Sequence, residues 1–244
     1  MNSGLSFALP EPALMAQQAE WLAPARSVLL RRVHVARRNR VLDLGTGFGT
    51  VAAELRRRSR GRVVALDLAF AALRSWQSPR GTSKLAADAT RLPVADGVFD
   101  LVFSQVTLLW VSPLSLAVDE IWRVLQPGGA FVALEPDYDG MIEHPPEIRS
   151  RPLWISALTR AGADPYVGRK LPGLLAERGF SVHISLFDTL FPPALSRFDY
   201  LEDLPLTVEE RSRLAEIRSA AATRSGPWSQ VAHLPFFLIR AHKP

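Results

Sequence analysis

Apolar residues recur at helical spacing over the first part of the chain. One such stretch covers residues 11–22 and a second covers 24–35, where Pro24 suits a first helical turn and Val28, Leu29 and Val33 form a stripe. From Arg40 the rhythm changes. Short runs that are apolar throughout alternate with helix-patterned segments: a strand at 40–44, a helix at 49–58, a strand at 62–66, a helix at 69–77, a weak strand at 84–87 and a strand at 99–104. A helix follows at 113–125, with Ser112 to cap it, Pro113 to open it and Pro127-Gly128-Gly129 to end it, and then a strand at 130–135. Strands without a polar face need cover on both sides. The pattern therefore predicts an α/β fold, doubly wound around a mostly parallel sheet.

Beyond residue 135 the pattern is less regular. Residues 136–165 are rich in Pro, Asp and Gly, with a helix near 154–160. A helix at 171–178 ends at Gly179, and 180–187 alternates as a half-buried strand would. Residues 204–223 read as a polar helix and 234–242 as a last strand.

Composition narrows the function. With 244 residues, 48% hydrophobic and 22% charged, the chain can bury the core of one domain. It has no cysteine, which excludes disulfide scaffolds, zinc fingers and cysteine nucleophiles. No apolar run approaches the ~18 residues of a membrane span. The first 25 residues hold no Lys or Arg, so neither a secretory signal nor an Arg-rich transit peptide is expected, and the expected location is cytoplasmic. Eleven arginines fall between Arg26 and Arg62. They read as a solvated helix face, and no aromatic residues interleave with them, which argues against nucleic acid as a partner.

The sharpest feature is Asp43-Leu44-Gly45-Thr46-Gly47-Phe48-Gly49, where the first strand hands over to the next helix. Ligands of open α/β sheets bind at such turns, and glycines let the backbone approach them. A dinucleotide site asks for G-x-G-x-x-G, but Thr50 stands at the third glycine position. The pattern present is D-x-G-x-G-x-G. Its acid suits a ligand with a positive head, such as the ammonium of an amino acid, reached directly or through water.

With these motifs the chain resembles the class I S-adenosylmethionine-dependent methyltransferases, in particular the small-molecule group of the ubiquinone/menaquinone-biosynthesis type. Asp67 follows the second strand, and Asp88-Ala89 lie in Ala87-Asp88-Ala89-Thr90-Arg91-Leu92-Pro93. Arg123-Val124-Leu125-Gln126-Pro127-Gly128-Gly129 matches the turn before strand five. The resemblance implies a seven-stranded Rossmann-like sheet with N-terminal helices and a helical lid. It implies S-adenosyl-L-methionine held by Asp43, Gly45, Thr46, Gly47, Phe48, Gly49, Asp67, Leu68, Asp88, Ala89, Ser104 and Gln105. Asp67 would take the ribose hydroxyls, Leu68 would pack on the adenine, Asp88 would meet the adenine amine, and Ser104-Gln105 would meet the methionine part. One methyltransferase domain is expected over 1–244: a helical cap at 1–36, a cofactor-binding core at 37–135, a lid at 136–170, and a C-terminal part at 171–244 with an acceptor-side insert at 196–230.

Methyl transfer from a sulfonium needs alignment and exclusion of water more than it needs acid–base help. A base is required only where the acceptor loses a proton. His144 and Asp139, with Glu143, are the candidates, on a segment expected over the site; His144 suits best by its ordinary pKa. Leu108, Leu109 and Trp110 either line a pocket or pack in the core, and the same holds for Trp21, Trp154 and Phe187. No Asn-Pro-Pro-Tyr run, no lysine-based ribose-methylation set and no magnesium-binding carboxylate set is present, so no metal is expected. The reading is a methyltransferase for a small, partly hydrophobic acceptor. Its rivals are an RNA or protein methyltransferase using the Arg-rich surface, a non-catalytic module binding S-adenosylmethionine, and a nicotinamide-dependent oxidoreductase.

Overall fold

Each strand sends apolar side chains alternately to both faces of one sheet, which is why the strands read as apolar throughout. The computed structural model describes residues 9–244, so the first eight residues of the expected 1–36 cap lie outside the described part. In chain order the elements are α1 (Pro12–Trp21), α2 (Ala23–Arg32), β1 (Arg40–Leu44), α3 (Thr50–Arg58), β2 (Arg62–Asp67), α4 (Phe70–Ser75), β3 (Thr82–Ala86), β4 (Phe99–Gln105), α5 (Leu114–Val124) and β5 (Leu125–Pro136). Then come β6 (Ile142–His144), α6 (Arg151–Arg160), α7 (Val167–Arg178), β7 (Ser181–Leu186), α8 (Asp199–Glu202), α9 (Val208–Ala222), β8 (Val231–His233) and β9 (Phe236–His242).

The seven-stranded sheet runs β3-β2-β1-β4-β5-β9-β7, parallel except that β9 lies antiparallel between β5 and β7. Val41, Val63, Leu101, Phe103 and Val132 face α1, α2 and α3, while Leu42, Leu44, Leu66, Val102 and Phe131 join the core on the other side with α5, α6 and α7. Burying such side chains, at about 1.5–3 kcal/mol each, is what holds the two layers to the sheet. Strand order reverses on either side of β1, so a crevice opens at the carboxyl ends of β1 and β4.

The structure corrects several details. Pro113 rather than Ser112 holds the cap position of α5, without a side-chain cap. Helix α7 starts at Val167 and carries Pro172 inside it, because Val167, Gly168, Leu171 and Leu175 are buried together and packing outweighs the missing N–H. Strand β7 is less buried than its alternation predicts, since it is the sheet edge and leaves Ile184 and Leu186 half exposed. The polar helix begins at Val208, fixed by a capping box between Thr207 and Glu210. The antiparallel pair of β6 with β8 has no counterpart in the sequence reading, since three-residue strands show no period.

Candidate functional site

From Leu44 the chain turns through Gly45, Gly47 and Gly49, all left-handed at φ +77°, +52° and +78°. The Gly45 and Thr46 N–H groups both donate to the Leu66 carbonyl, at 2.8 and 2.9 Å, which pins the loop to the end of β2. Space demands glycine as well as conformation does. A Cβ on Gly45 would lie 2.1 Å from the Thr107 side chain, and one on Gly47 would lie 2.7 Å from the Met15 methyl of α1.

Asp67 ends β2 and is 8% exposed. Its Oδ2 accepts from the Gly47 N–H at 2.7 Å and its Oδ1 from the Ala69 N–H at 2.8 Å. Burial raises its pKa above the ordinary carboxylate range. Each oxygen retains lone-pair capacity for a further donor, and the side chain lines a cleft of about 370 Å³.

Six of the expected cofactor residues line that cleft: Gly45, Asp67, Leu68, Asp88, Ala89 and Gln105. Asp88 is exposed, and its Oδ1 accepts from both the N–H and the hydroxyl of Thr90 at 2.8 Å. The others do not reach the wall. Asp43 lies under the loop, where its Oδ2 accepts from the Thr46 hydroxyl at 2.6 Å. Burial pushes its pKa up to about 7. Asp43 therefore does not form part of the cleft wall itself: with Thr46 it braces the loop from behind. Gly47, Phe48 and Gly49 shape the turn, and Ser104, fully buried, points at the Glu135 carboxylate at 3.2 Å.

Two residues that sequence reasoning missed hold the far wall. Arg26 is 3% exposed; its Nη1 donates to Gln105 Oε1 at 2.9 Å, while Nε and Nη2 grip Glu54 Oε2 at 2.8 and 2.6 Å. It was grouped with a solvated arginine face, yet it sits one helical turn from Leu22, Leu29 and Leu30, and that spacing marks it as inward. Glu135, next to last in β5, has no exposure. Its Oε1 accepts from the N–H groups of Thr107 and Leu108 at 3.2 and 3.0 Å, and its Oε2 has no hydrogen-bond partner among the described residues. Burial pushes Glu135 up to about 7. Between these anchors Val106, a β-branched residue, is held left-handed at φ +52°, a strained conformation on the cleft wall.

A second chamber of about 330 Å³ adjoins the cleft, and Gln18, Tyr138, Trp154 and Tyr200 line both. Tyr138 lies tilted on Trp154, ring centroids 5.0 Å apart, and the Tyr200 hydroxyl donates to the Leu14 carbonyl. Burial lifts the Tyr138 phenol above its ordinary range and pushes Tyr200 up to about 12, so both keep their protons near neutrality. Trp21 lines this chamber, whereas Phe187 packs edge-on against Trp21 in the core. Leu109 and Trp110 line the cleft, and Leu108 is core.

The candidate bases are not brought to either cavity. His144 is exposed on β6, and its backbone pairs with Val231 of β8. Asp139 accepts from Arg169 at 3.0 Å and lies 4.0 Å from Arg151. Glu143 accepts from the Ser150 N–H and hydroxyl and from the Arg151 N–H, which ties it to the start of α6. The segment itself lies over the second chamber through Tyr138, Met141 and Trp154, but His144, Asp139 and Glu143 line neither cavity.

The profile of the family described as "Methyltransferase domain" matches residues 42–133. The malonyl-[acyl-carrier protein] O-methyltransferase of Salmonella typhimurium is 30% identical over 206 residues, covering 80% of this chain and 79% of that protein. The mitochondrial arginine-hydroxylase NDUFAF5 of Rattus norvegicus is 30% identical over 169 residues, 67% of this chain, and the chain spans about half of that relative, 48%. Among solved structures, a Haemonchus contortus phosphoethanolamine N-methyltransferase in complex with phosphomonomethylethanolamine and S-adenosylhomocysteine superposes with a TM-score of 0.63 at 16% identity, over 95% of this chain and 57% of that one. The sheet order, the glycine loop and these relatives agree: the chain belongs to the class I S-adenosylmethionine-dependent methyltransferase family.

Proposed function

We propose that this chain transfers the methyl group of S-adenosylmethionine to a small, partly apolar acceptor. The observation that carries the reading is the pairing of two cavities. One is walled by the glycine loop and the Asp67 carboxylate, and the other is walled by aromatic side chains that the first cavity shares. The cofactor supplies an electrophilic methyl on a sulfonium; the S–C bond breaks as the acceptor bond forms, leaving a thioether.

The chain's own residues then have binding and alignment to do. Asp67 accepts the two ribose hydroxyls, Leu68 and Ala89 flank the adenine, and Asp88 accepts from its amine. Gly45 and Gln105 meet the amino-acid part, while Asp43, Thr46, Gly47, Phe48, Gly49 and Ser104 shape the loop and strand ends behind them. Tyr138, Trp154 and Tyr200 stand at the boundary, keep water out and orient the acceptor. His144 and Asp139 line neither cavity, which supports a transfer that rests on alignment and not on a base from either residue.

The test is calorimetry with S-adenosylhomocysteine and with NAD, followed by methyl-labelled S-adenosylmethionine and a metabolite panel. S-adenosylhomocysteine binds, NAD does not, and Asp67→Ala weakens binding about tenfold or more, the ~1–3 kcal/mol of a lost buried polar pair. Tight binding with no labelled product from any acceptor points instead to a non-catalytic module, or to a different reaction on the same fold.

A further inference from the structure

The second chamber is apolar over most of its wall: Trp21, Trp154, Phe191, Phe236 and two prolines face it. Against that wall stands Arg197, the one permanently charged side chain among the described residues that line it. Its bonding is incomplete. Nη1 donates to the Ala194 carbonyl at 2.9 Å and Nη2 to Gln230 Oε1 at 3.2 Å, both neutral acceptors. Its Nε is buried and has no hydrogen-bond partner among the described residues. The guanidinium stacks on Phe198, 4.2 Å from the ring centroid.

Among the described residues no carboxylate accepts a hydrogen bond from this cation. The acid that acts on it electrostatically, Glu143, already accepts three bonds from Ser150 and Arg151. Three other arginines of this half of the molecule do hold carboxylates: Arg160 with Glu210, Arg169 with Asp137, and Arg218 with Asp199 and Glu202. A half-buried cation in an aromatic chamber is costly unless an anion meets it, and a planar guanidinium meets a carboxylate best.

We propose that Arg197 anchors an anionic group of the acceptor, a carboxylate on an apolar body, at the end of the second chamber away from the transferred methyl. Arg197 lines that chamber and not the cofactor cleft. The anchored group is therefore a handle and not the methylated atom; the other end of the acceptor reaches the boundary at Tyr138, Trp154 and Tyr200. The proposal rests on the reading of the two cavities as cofactor cleft and acceptor chamber.

The test uses the full chain saturated with S-adenosylhomocysteine, with 3-phenylpropionate and its neutral amide as probes, each titrated by ligand-observed NMR. The acid is expected to bind at least about tenfold tighter than the amide, as a hydrogen-bonded charge pair in an apolar site does. Arg197→Gln removes that preference and Arg197→Lys keeps part of it, while S-adenosylhomocysteine affinity is unchanged in both. The wild-type comparison of acid with amide stands even if Arg197→Gln fails to fold. Equal binding of acid and amide, binding of neither, or an acid preference undiminished in Arg197→Gln overturns the proposal. So does conversion of 3-phenylpropionate to its methyl ester with S-adenosylmethionine. Failure of S-adenosylhomocysteine to bind at all is a separate result, which removes the cofactor reading first.

Discussion

The two cavities are built on different principles. One side of the first cleft is formed by strand ends, and there its shape is set by backbone: three left-handed glycines, two N–H groups on the Leu66 carbonyl, and amides on Asp67. The second chamber is assembled from distant segments: α1, the turn after β5, α6, the stretch before α8, and β8. Its shape is set by side chains packing on one another. A backbone-built site tolerates almost no substitution at its turns but binds one ligand class; a side-chain-built site can be re-lined without disturbing the sheet.

The largest expected effect breaks the first kind of site. Gly45→Ala combines a left-handed φ with a Cβ 2.1 Å from Thr107. Strain of this kind costs about 1–3 kcal/mol, and the required shift of Thr107 adds to it. The melting temperature falls by about 2–4 °C per kcal/mol for a chain of this size, and S-adenosylhomocysteine affinity falls more than about tenfold. Thr107→Ala in the same chain removes the two nearest atoms but keeps the Cβ at 2.6 Å, so it relieves only part of the steric cost and none of the conformational one. The acid–amide preference of the second chamber survives, because Gly45 does not line it. Loss of both together would mean that the two cavities are not separable.

A middle-sized effect sharpens the comparison through pH. The two carboxyls that burial pushes up to about 7, Asp43 and Glu135, both brace the cofactor side. Between the ordinary carboxylate range and pH 7 the folded chain holds protons that the unfolded chain has released. The native state then binds more protons, so unfolding free energy declines as pH rises through this window and levels off above it. For Glu135 the fall is on the order of 3 kcal/mol, from an ordinary value of 4.5. Urea unfolding from pH 4.5 to 8 measures the slope. Glu135→Gln keeps an oxygen for Thr107 and Leu108 and flattens the slope; a slope unchanged by that substitution would assign the effect elsewhere.

The same contrast explains what the sequence made legible. The sheet, the strand-terminal acids Asp67 and Asp88 and the glycine loop were readable because each lies within a few residues of a strand end, where local pattern fixes position. The direction of the Asp43 side chain was not, because it depends on a hydroxyl three residues away competing for the carboxylate. The exposed place of His144 has no local signal, because a three-residue pairing with β8, some ninety positions on, sets the course of its strand. Arg26 was legible in principle from its helical spacing, and composition masked it. Arg197 meets Ala194 and Phe198 within its own turn, but that local pattern shows no chamber, and Gln230, 33 positions on, meets it only in the fold.

The smallest effect tests the least-anchored residue of the backbone-built site. Asp88 is exposed, and its Oδ1 is already occupied by the N–H and hydroxyl of Thr90. Asp88→Asn preserves that oxygen and so preserves the turn, but it replaces the second acceptor by an N–H₂ donor. If that position faces the adenine amine, S-adenosylhomocysteine loses roughly three- to tenfold in affinity, the ~1 kcal/mol of one partly solvated hydrogen bond. The sign reverses for the 6-oxo analogue S-inosylhomocysteine, whose carbonyl accepts where the adenine amine donates, so Asp88→Asn binds it better than the wild type does. A ratio of the two affinities that Asp88→Asn leaves unmoved would reduce Asp88 to a turn-forming residue, and the recognition of the base would then rest on the apolar flanks Leu68 and Ala89 alone.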